Sequence, residues 1–421
     1  MTALAWNPVH GDLFAVGYGD FKSIGMSYGG GGAVALHSLL QPYRPYGKNI
    51  VLSAGVLCLE FHSQNAHLLT IGCSNGSIHI CDCRESTLVA YATVGPLLGA
   101  AVTRIRWLEN SFLASSMNGQ VTEWMLNSNL STGISLELVD SCSLTTPSRP
   151  LASLDLPPDG LSHQFLGNFP APILYFDIDQ FKNSLIIGYQ DGSIVEVSIP
   201  SLHHRHASSW NGHDGPVVSV ACRGASLAEA GMNTSAHIAI LTASADWTAR
   251  LWDATAAGQM EESETFDLGA PVADVAWSPA CSTIFGAVTE SGIVHIYDMA
   301  NDVRTALCTQ RIVSSKVNLT RLAFNPQHHG IMIVGDGRGC VHCFKLSPNL
   351  RGCNNDGVAT ESRQGLRTLV TRRKRSAGKT ESKDKSLDDT SALASHVVME
   401  PLLQVLGKAH LRREVVTTLS T

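Results

Sequence analysis

The chain has 421 residues, of which 44% are hydrophobic and 16% are charged, and its formal net charge is −6. This composition supplies enough apolar residues for a large core, argues against a coiled coil, and leaves no overall basic surface for nucleic acid. No apolar run reaches the roughly 18 residues that span a bilayer. The first residues, MTALAWNPVH, lack the basic and apolar segments of a secretory signal peptide. We therefore expect neither a membrane nor nucleic acid as a partner.

Seven segments in chain order share one strand pattern. Each contains a strand of alternating apolar and polar residues, a chain reversal, a second apolar strand, a short turn and a third strand. They span residues 4–39, 57–83, 102–126, 174–199, 217–253, 272–298 and 319–346. Turns such as SNGS, MNGQ and QDGS contain glycine, which supplies the positive φ that tight hairpins need. Strand repeats without helices between them predict an all-β fold, a seven-bladed propeller over residues 1–350.

Two stretches depart from the repeat. YGGGG at 28–32 is not a nucleotide-binding loop, because no Lys-Ser/Thr pair follows it, and we interpret it as a flexible loop in the first blade. Residues 127–172 are longer and richer in Ser and Pro than a connection between blades requires. They predict one outer strand and an irregular insertion.

The composition changes after Leu350. Residues 351–392 are polar and charged, which predicts a disordered linker. Within it, RRKR at 372–375 is interpreted as a solvated basic stretch, with a nuclear-import signal or a contact with the acidic tubulin surface as alternatives. Apolar periodicity returns at 393–416 and predicts a short amphipathic helix that begins near Pro401.

The fifth repeat contains polar residues that permit two interpretations. NGHDGPVVSV carries His213, and LTASADWTARLWD carries Thr242, Ser244, Asp246 and Trp252. A His, a hydroxyl and an Asp form a hydrolase relay in some enzymes, which would make this chain an esterase that uses His213 and Ser244. However, GH before the first strand and WD at the end of the third match the WD-repeat signature.

In a WD repeat the same side chains form a hydrogen-bonded chain that joins the strands, with the buried Trp nitrogen as a donor. Here the chain would contain His213, Asp246, Trp252 and either Thr242 or Ser244. The sequence has no G-x-S-x-G elbow. We therefore predict a structural clamp, no catalytic residues and no cofactor.

Trp247 lies in the tight turn beside Asp246, at the rim of the predicted propeller face. Turn positions usually carry small or polar residues, and exposed tryptophan is enriched at interface hot spots. We predict that Trp247 contacts a partner. The alternative is that it packs on a loop of the neighbouring blade.

Eleven cysteines are scattered through apolar segments, which predicts buried thiols in a reducing compartment. Cys340 and Cys343 in CVHC would point to opposite faces of a strand, which does not suit one zinc ion. Cys81 and Cys83 in CDC share a face but lack a second pair. We predict no metal site.

Four longer segments carry a resemblance to a known family. They are ALAWNPVHGDLFAVGYGDF (3–21), TASADWTARLWD (242–253), PVADVAWSPACSTIFGAVTESGIVHIYD (271–298) and IMIVGDGRGCVHCFKLSPNL (331–350). In combination they closely resemble the axonemal dynein intermediate chains, with the outer-arm intermediate chain 1 type as the nearest. The resemblance covers residues 3 to about 350, with weaker stretches between these segments.

The resemblance implies a non-catalytic subunit at the base of a dynein motor. The propeller would hold the tail of a dynein heavy chain, and a second dynein intermediate chain would pair with this one. The assembly would dock on the doublet microtubule, or on docking factors, in the cytoskeleton of a ciliary or flagellar axoneme. The family carries a long segment before its propeller, and this chain starts almost on the first strand. We interpret it as a fragment or an abbreviated gene model.

Two other functions remain open for such a propeller. A cytoplasmic dynein intermediate chain is a near neighbour of the same type. A substrate receptor of a ubiquitin ligase belongs to a different class, and such receptors often carry an Arg shortly after the WD dipeptide. WDATA lacks that residue, and only Arg84 in CDCR is close to the required position.

The outermost strand of the last blade raises a question of ring closure. In WD propellers this strand usually precedes the first inner strand, but almost nothing precedes Leu4 here. We predict that the last blade has three strands or takes a fourth from the tail, with GLRTLV at 365–370 as the candidate.

Overall fold

The computed structural model describes residues 1–19, 31–41, 45–93, 101–129, 133–143, 172–179, 183–199, 207–223, 239–254, 260–279, 281, 283–299, 303–347 and 400–405. Within these ranges the chain forms 28 strands and no α-helix. The strands make seven four-stranded antiparallel sheets, which are the blades of a propeller. The predicted fold class is confirmed. None of the described segments has the helical length and hydropathy of a membrane span.

Each of the first four blades takes its strands from one continuous stretch of chain. Blade one contains β1 Ala3–Trp6, β2 Leu13–Tyr18, β3 Gly32–Ser38 and β4 Ile50–Leu52; blade two contains β5 Val56–Phe61, β6 Leu68–Cys73, β7 Ser77–Asp82 and β8 Thr87–Thr93. Blade three contains β9 Val102–Trp107, β10 Ser111–Ser116, β11 Gln120–Asn129 and β12 Gly133–Ser143; blade four contains β13 Ile173–Asp179, β14 Ser184–Tyr189, β15 Ser193–Ser198 and β16 Ala207–Asn211.

The last three blades follow the same order. Blade five contains β17 Val217–Cys222, β18 Ala239–Ser244, β19 Thr248–Ala254 and β20 Met260–Asp267; blade six contains β21 Val272–Trp277, β22 Ile284–Thr289, β23 Ile293–Asp298 and β24 Cys308–Arg311. Blade seven contains β25 Leu319–Phe324, β26 Ile331–Asp336, β27 Val341–Lys345 and β28 Glu400–Val405. In every blade the first strand contacts the first strands of its neighbours, so these strands form the inner ring.

The apolar residues that specify the strands form clusters between successive blades. The second strand is buried at every position in blades two to six. Ile78 and Ile80 of blade two pack with Phe112 and Trp124 of blade three in one such cluster. Because a strand with neighbours on both faces cannot expose either side, these strands have continuous apolar sequences instead of alternating ones.

The ring closes by contact between blades one and seven. Phe14 and Val16 share a cluster with Ile333 and Val341, and Trp6 donates from Nε1 to the carbonyl of Ala323 at 3.2 Å. Each sheet is built from strands in consecutive order. Blades one and seven therefore meet without exchanging a strand.

The outer strand of blade seven comes from the tail. β28 runs antiparallel to β27, with Val405 opposite Val341 and Glu400 opposite Lys345. A fourth strand from the tail is thus confirmed, although it lies at 400–405 and the proposed 365–370 is outside the described residues.

The prediction of an amphipathic helix that begins near Pro401 is wrong for residues 400–405, which form β28. Helical periodicity in a short segment is a weak signal, and the free backbone groups along β27 offer this segment a hydrogen-bonded ladder instead. The remainder of 393–416 is outside the described part of the chain.

The other departures from the repeat are described in part. β12 lies inside 127–172 and is the predicted outer strand of blade three, since it pairs with β11 along ten residues. Residues 144–171, 28–30 and the predicted linker 351–392, with its basic stretch 372–375, lie outside the described residues.

Candidate functional site

The polar residues of blade five form one hydrogen-bonded chain. His213 Nδ1 lies 2.9 Å from Asp246 Oδ2, and His213 Nε2 lies 2.8 Å from Thr242 Oγ1. Trp252 donates from Nε1 to Thr242 Oγ1 at 2.9 Å. The chain thereby links the segment before β17 to the second strand, the turn and the third strand of one blade. Thr242, and not Ser244, is the hydroxyl that completes it.

Ser244 and Thr248 hold the turn itself. The backbone N–H of Asp246 donates to Ser244 Oγ at 3.1 Å. Thr248 donates to Asp246 Oδ1 from both its backbone N–H at 3.0 Å and its hydroxyl at 2.7 Å. Asp246 Oδ2 also accepts from the backbone N–H of Asp214 at 3.1 Å. One carboxylate therefore fixes the turn and the segment that enters blade five.

Burial and hydrogen bonds determine the protonation states of His213 and Asp246. Burial lowers the pKa of His213 below its ordinary value, although Asp246 acts in the opposite direction. Burial alone would raise the pKa of Asp246, but the hydrogen bond from Thr248 and the proximity of His213 keep it low. A neutral imidazole that donates to a carboxylate from Nδ1 accepts at Nε2, so the Thr242 hydroxyl donates to His213.

These positions do not form the geometry of a nucleophilic relay. His213 uses Nε2 for Thr242, and Ser244 Oγ accepts from the Asp246 backbone instead of contacting the imidazole. Thr242 and Ser244 are fully buried. A nucleophile must face both its base and a substrate, and neither hydroxyl does.

Trp247 occupies an unusual backbone position. Its φ is 74°, in the left-handed region, and its side chain is 53% exposed. The corresponding turn residue in the other blades whose turn is described is glycine, with φ between 79° and 93°: Gly76, Gly119, Gly192, Gly292 and Gly339. Glycine is favoured there because a Cβ atom is disfavoured at positive φ. Trp247 is therefore on the surface at a position where a side chain destabilises the backbone.

The loops that follow blades four and five differ in how closely they approach the turn. In blade four, a Cβ atom on Gly192 would collide with the carbonyl of His213, because the next segment folds over the turn. In blade five, the backbone N–H of Leu268 donates to the carbonyl of Trp247 at 3.0 Å. A Cβ atom on Gly269, in the same loop, would meet nothing within 4 Å. The loop is thus joined to the turn but does not enclose the tryptophan.

A second candidate site is the central channel. The first strands of the seven blades line a cavity of about 570 Å³. Six charged residues face one another across it, and they are Glu60, Arg104, Arg106, Asp177, Asp274 and Arg321. They are inconspicuous in the sequence because they come from five separate repeats. They do share a signal, since each is the third or fifth residue of its strand.

Two aspartates in the channel join successive blades. Asp177 accepts from Arg106 Nε at 2.7 Å and from the backbone N–H of Cys222 at 2.8 Å. Asp274 accepts from Ser219 Oγ at 2.7 Å and from the backbone N–H of Leu322 at 2.9 Å. Each carboxylate therefore bonds to the blade before its own and the blade after it.

The remaining channel charges have weaker partners. Arg106 Nη1 lies 3.3 Å from Glu60 Oε1, and Arg321 lies 3.8 Å from Asp274. The Arg104 guanidinium lies over the Tyr175 ring, 4.6 Å from its centroid. The lining therefore contains three arginines and three carboxyl groups, and burial raises the pKa of Glu60. We interpret this lining as an internal network that holds the inner ring together.

The ten cysteines that the structure describes are all free thiols. Burial raises the pKa of Cys58 and of Cys343 to about 12, so both stay protonated. Among the described residues no group of three or more His, Cys, Asp or Glu side chains is arranged to hold a metal ion.

A ring of seven four-stranded sheets, with a His–Asp–Thr–Trp chain between GH and WD, defines a WD-repeat β-propeller. Its curated homologues are axonemal dynein intermediate chains, as the resemblance predicts. The chain is 28% identical over 377 residues to the 78 kDa dynein intermediate chain of the flagellar outer arm of Chlamydomonas reinhardtii, covering 83% of this chain and 49% of that protein.

Two further relatives extend this comparison. Ciliary dynein intermediate chain 2 of Heliocidaris crassispina is 30% identical over 380 residues, covering 85% of this chain and 48% of the relative. Dynein axonemal intermediate chain 1 of Bos taurus is 30% identical over 380 residues, covering 87% and 49%. The chain thus spans about half the length of the curated relatives it matches. No family model matches it.

Proposed function

We propose that this chain is a non-catalytic structural subunit of an axonemal outer-arm dynein, located in the cilium or flagellum. The observation that carries the proposal is similarity over 83–87% of the chain to intermediate chains of flagellar and ciliary dyneins. The clamp geometry supports a non-catalytic role, because the residues that resemble a hydrolase relay are occupied by the fold itself.

We infer that the propeller binds the tail of a dynein heavy chain, and that Trp247 contributes to the contact. The exposure and backbone position of Trp247 support this inference, since an exposed indole replaces the turn glycine of the other described blades. A second dynein intermediate chain and the doublet microtubule or its docking factors are the other proposed partners. Residues 351–392 would serve as a linker to the strand that completes blade seven.

The proposal is tested by location and by partners. The tagged chain is expressed in ciliated cells, and axonemes are separated from cytoplasmic vesicles. We expect it to sediment with axonemes and to leave them in the same extract as the outer-arm heavy chains. Recovery with vesicles would indicate a cytoplasmic dynein subunit. Recovery with ubiquitin-ligase subunits would indicate a substrate receptor.

A substitution of Trp247 tests the proposed contact with the heavy chain. Trp247→Ala should weaken the binding free energy for the heavy chain by at least about 2 kcal/mol, the range of an interface hot spot, while the protein stays folded. Co-precipitation of the heavy chain should decrease accordingly. Tyr91→Ala provides the control, because Tyr91 is also exposed but lies on the outer strand of blade two. Intact co-precipitation by the folded Trp247 variant would exclude the contact.

A further inference from the structure

Trp247 combines two features that oppose stability. Its backbone is in the left-handed region, where the matching residues of five other blades are glycine. Its indole is 53% exposed, so about half of the ring surface is available for contact. A residue in a disfavoured backbone region that also presents an aromatic ring to solvent is a candidate for a function outside the fold.

Acidic residues lie next to the Trp247 turn in sequence and in the strand ladder. Asp214 is exposed and its backbone bonds to Asp246, the residue before Trp247. Asp267 is exposed and pairs with Thr248, the residue after Trp247. We call Asp214, Asp246, Trp247 and Asp267 the acidic rim.

Arg250, a cation beside the acidic rim, does not neutralise it. Arg250 lies 4.0 Å from Asp246, and it is bound to Glu262 at 3.1 Å. The imidazole of His213 adds no charge near neutral pH, because burial lowers its pKa. The acidic rim with Arg250 and Glu262 therefore carries a net negative charge near the turn that holds the exposed Trp247.

We propose that the acidic rim binds a basic segment of a partner protein, with an Arg or Lys side chain placed over the face of the Trp247 indole. A cation over an indole face is attracted by the ring, and flanking carboxylates add directed ion pairs. The proposal extends the function proposed above by giving the chemistry of the partner segment, and it rests on that function only for the partner's identity.

The connection that contains the chain's own basic stretch at 372–375 is anchored away from the acidic rim. The connection that contains this stretch leaves blade seven after Lys345 and returns at Glu400, and these two residues are paired. They lie at the end of β27 opposite to the turn at Gly339, which corresponds to the turn at Trp247. Both ends of the connection are therefore on the face remote from the acidic rim.

The first experiment measures binding of a defined probe to the full chain. The probe is a fluorescein-labelled hexa-arginine peptide, compared with the same peptide containing citrulline, by fluorescence anisotropy at physiological salt. We expect saturable binding of the arginine peptide that Trp247→Gly weakens about 2- to 30-fold, the range of a cation–π contact. Trp247→Phe should retain most of the affinity, and Asp267→Asn should weaken it.

Two results would overturn the proposal at this stage. One is equal binding of the citrulline peptide, or no saturable binding of either. The other is unchanged affinity in Trp247→Gly. Tyr91→Ala is the control for loss of an exposed aromatic ring elsewhere, and its affinity should equal that of the wild type.

Thermal unfolding separates this role from a structural one. Because glycine suits the backbone position, Trp247→Gly should melt at the same temperature as the wild type or higher. A clear decrease would mean that the indole stabilises the fold, which contradicts the proposal.

The second experiment identifies the natural occupant. Trp247→p-benzoylphenylalanine is photocrosslinked in ciliary extract, and the captured peptide is sequenced. We expect a segment rich in Lys and Arg; an acidic or apolar segment, or the chain's own residues 371–377, would overturn the proposal. A basic segment from a protein outside dynein would uphold the acidic rim as a binding site and contradict the heavy-chain contact.

Discussion

Both nitrogens of the His213 imidazole are hydrogen-bonded inside blade five. This favours a structural clamp over a hydrolase relay. In a hydrolase the Nε2 atom faces a reactive hydroxyl that is open to substrate. Here Nε2 faces the buried Thr242, whose oxygen also accepts from Trp252. The same residue types thus form a closed network when each donor and acceptor is used within the blade.

Removal of the carboxylate tests that network. Asp246→Ala leaves the His213 Nδ1–H, and the backbone N–H groups of Asp214 and Thr248, without their acceptor. We expect the free energy of unfolding to fall by about 1–3 kcal/mol, measured by urea denaturation.

Asp191→Ala is the matched control for this loss. Asp191 occupies the same turn position in blade four, but within the described part of the chain it accepts from Ser193 alone, in its own exposed turn. Its removal should change stability much less. Equal losses in the two variants would show that the His213 network adds nothing beyond an ordinary turn.

The blades differ most in the length of their outermost strand. The fourth strand has three residues in β4, four in β24, eight in β20 and eleven in β12. It pairs on one side only, so less of its sequence is constrained by burial. β28 is the extreme case, since roughly 50 residues separate it from its partner β27.

A proline in β28 tests whether this strand completes blade seven. Leu403 lies opposite Cys343 in the ladder, and Leu403→Pro removes a backbone donor from the strand. We expect a lower melting temperature and concentration-dependent association on gel filtration, because the edge of β27 becomes available to other chains. Leu369→Pro, within the other candidate segment at 365–370, is the control and should behave as wild type. The assignment of β28 fails if the two variants are indistinguishable.

The first three strands of every blade could be predicted from sequence, because a buried apolar strand and a glycine turn recur at fixed distances. The clamp could be predicted for the same reason, since GH, SAD and WD lie within one repeat. β28 could not, because its pairing depends on a free edge far away in sequence. The channel charges were missed because each repeat contributes only one or two of them, and the strained φ of Trp247 has no signal except the missing glycine.

Across the whole molecule, the inner ring is held by polar contacts between blades as well as by apolar clusters. Asp177 links blades three, four and five, and Asp274 links blades five, six and seven. Three junctions remain. Thr2 donates from Oγ1 to the carbonyl of Val56 at 2.5 Å between blades one and two, and Arg106 lies 3.3 Å from Glu60 between blades two and three. Between blades seven and one, Arg321 donates from Nε to the carbonyl of Thr2 at 3.0 Å. The seven blades therefore form one connected unit instead of independent sheets.

Buried histidines should make the stability of this unit depend on pH. Burial lowers the pKa of both His37 and His295 to about 4, and neither side chain is more than 8% exposed. Between about pH 6.5 and about pH 4 the unfolded chain binds protons at these residues and the folded chain does not. Acidification through this window therefore lowers the free energy of unfolding, by about 1–2 kcal/mol per histidine at pH 5.

Urea denaturation at pH 7.5 and pH 5.0 measures this difference. His37→Phe removes one of the two titrating groups and retains an aromatic ring next to Phe14, which stacks on His37 at 5.6 Å. We expect the variant to lose less stability than the wild type between the two pH values. An unchanged difference would mean that His37 is protonated in the folded protein.

The position of β28 in the chain has a consequence for synthesis. The ribosome makes all of β27 before it makes roughly 50 further residues and then β28. At roughly 5–20 residues per second, the first 27 strands are complete for about 3 to 10 seconds before the last one exists. During that interval the nascent propeller presents the whole edge of β27 to the crowded space around the ribosome, so each newly made chain passes through a period in which it depends on chaperones or on low local concentration.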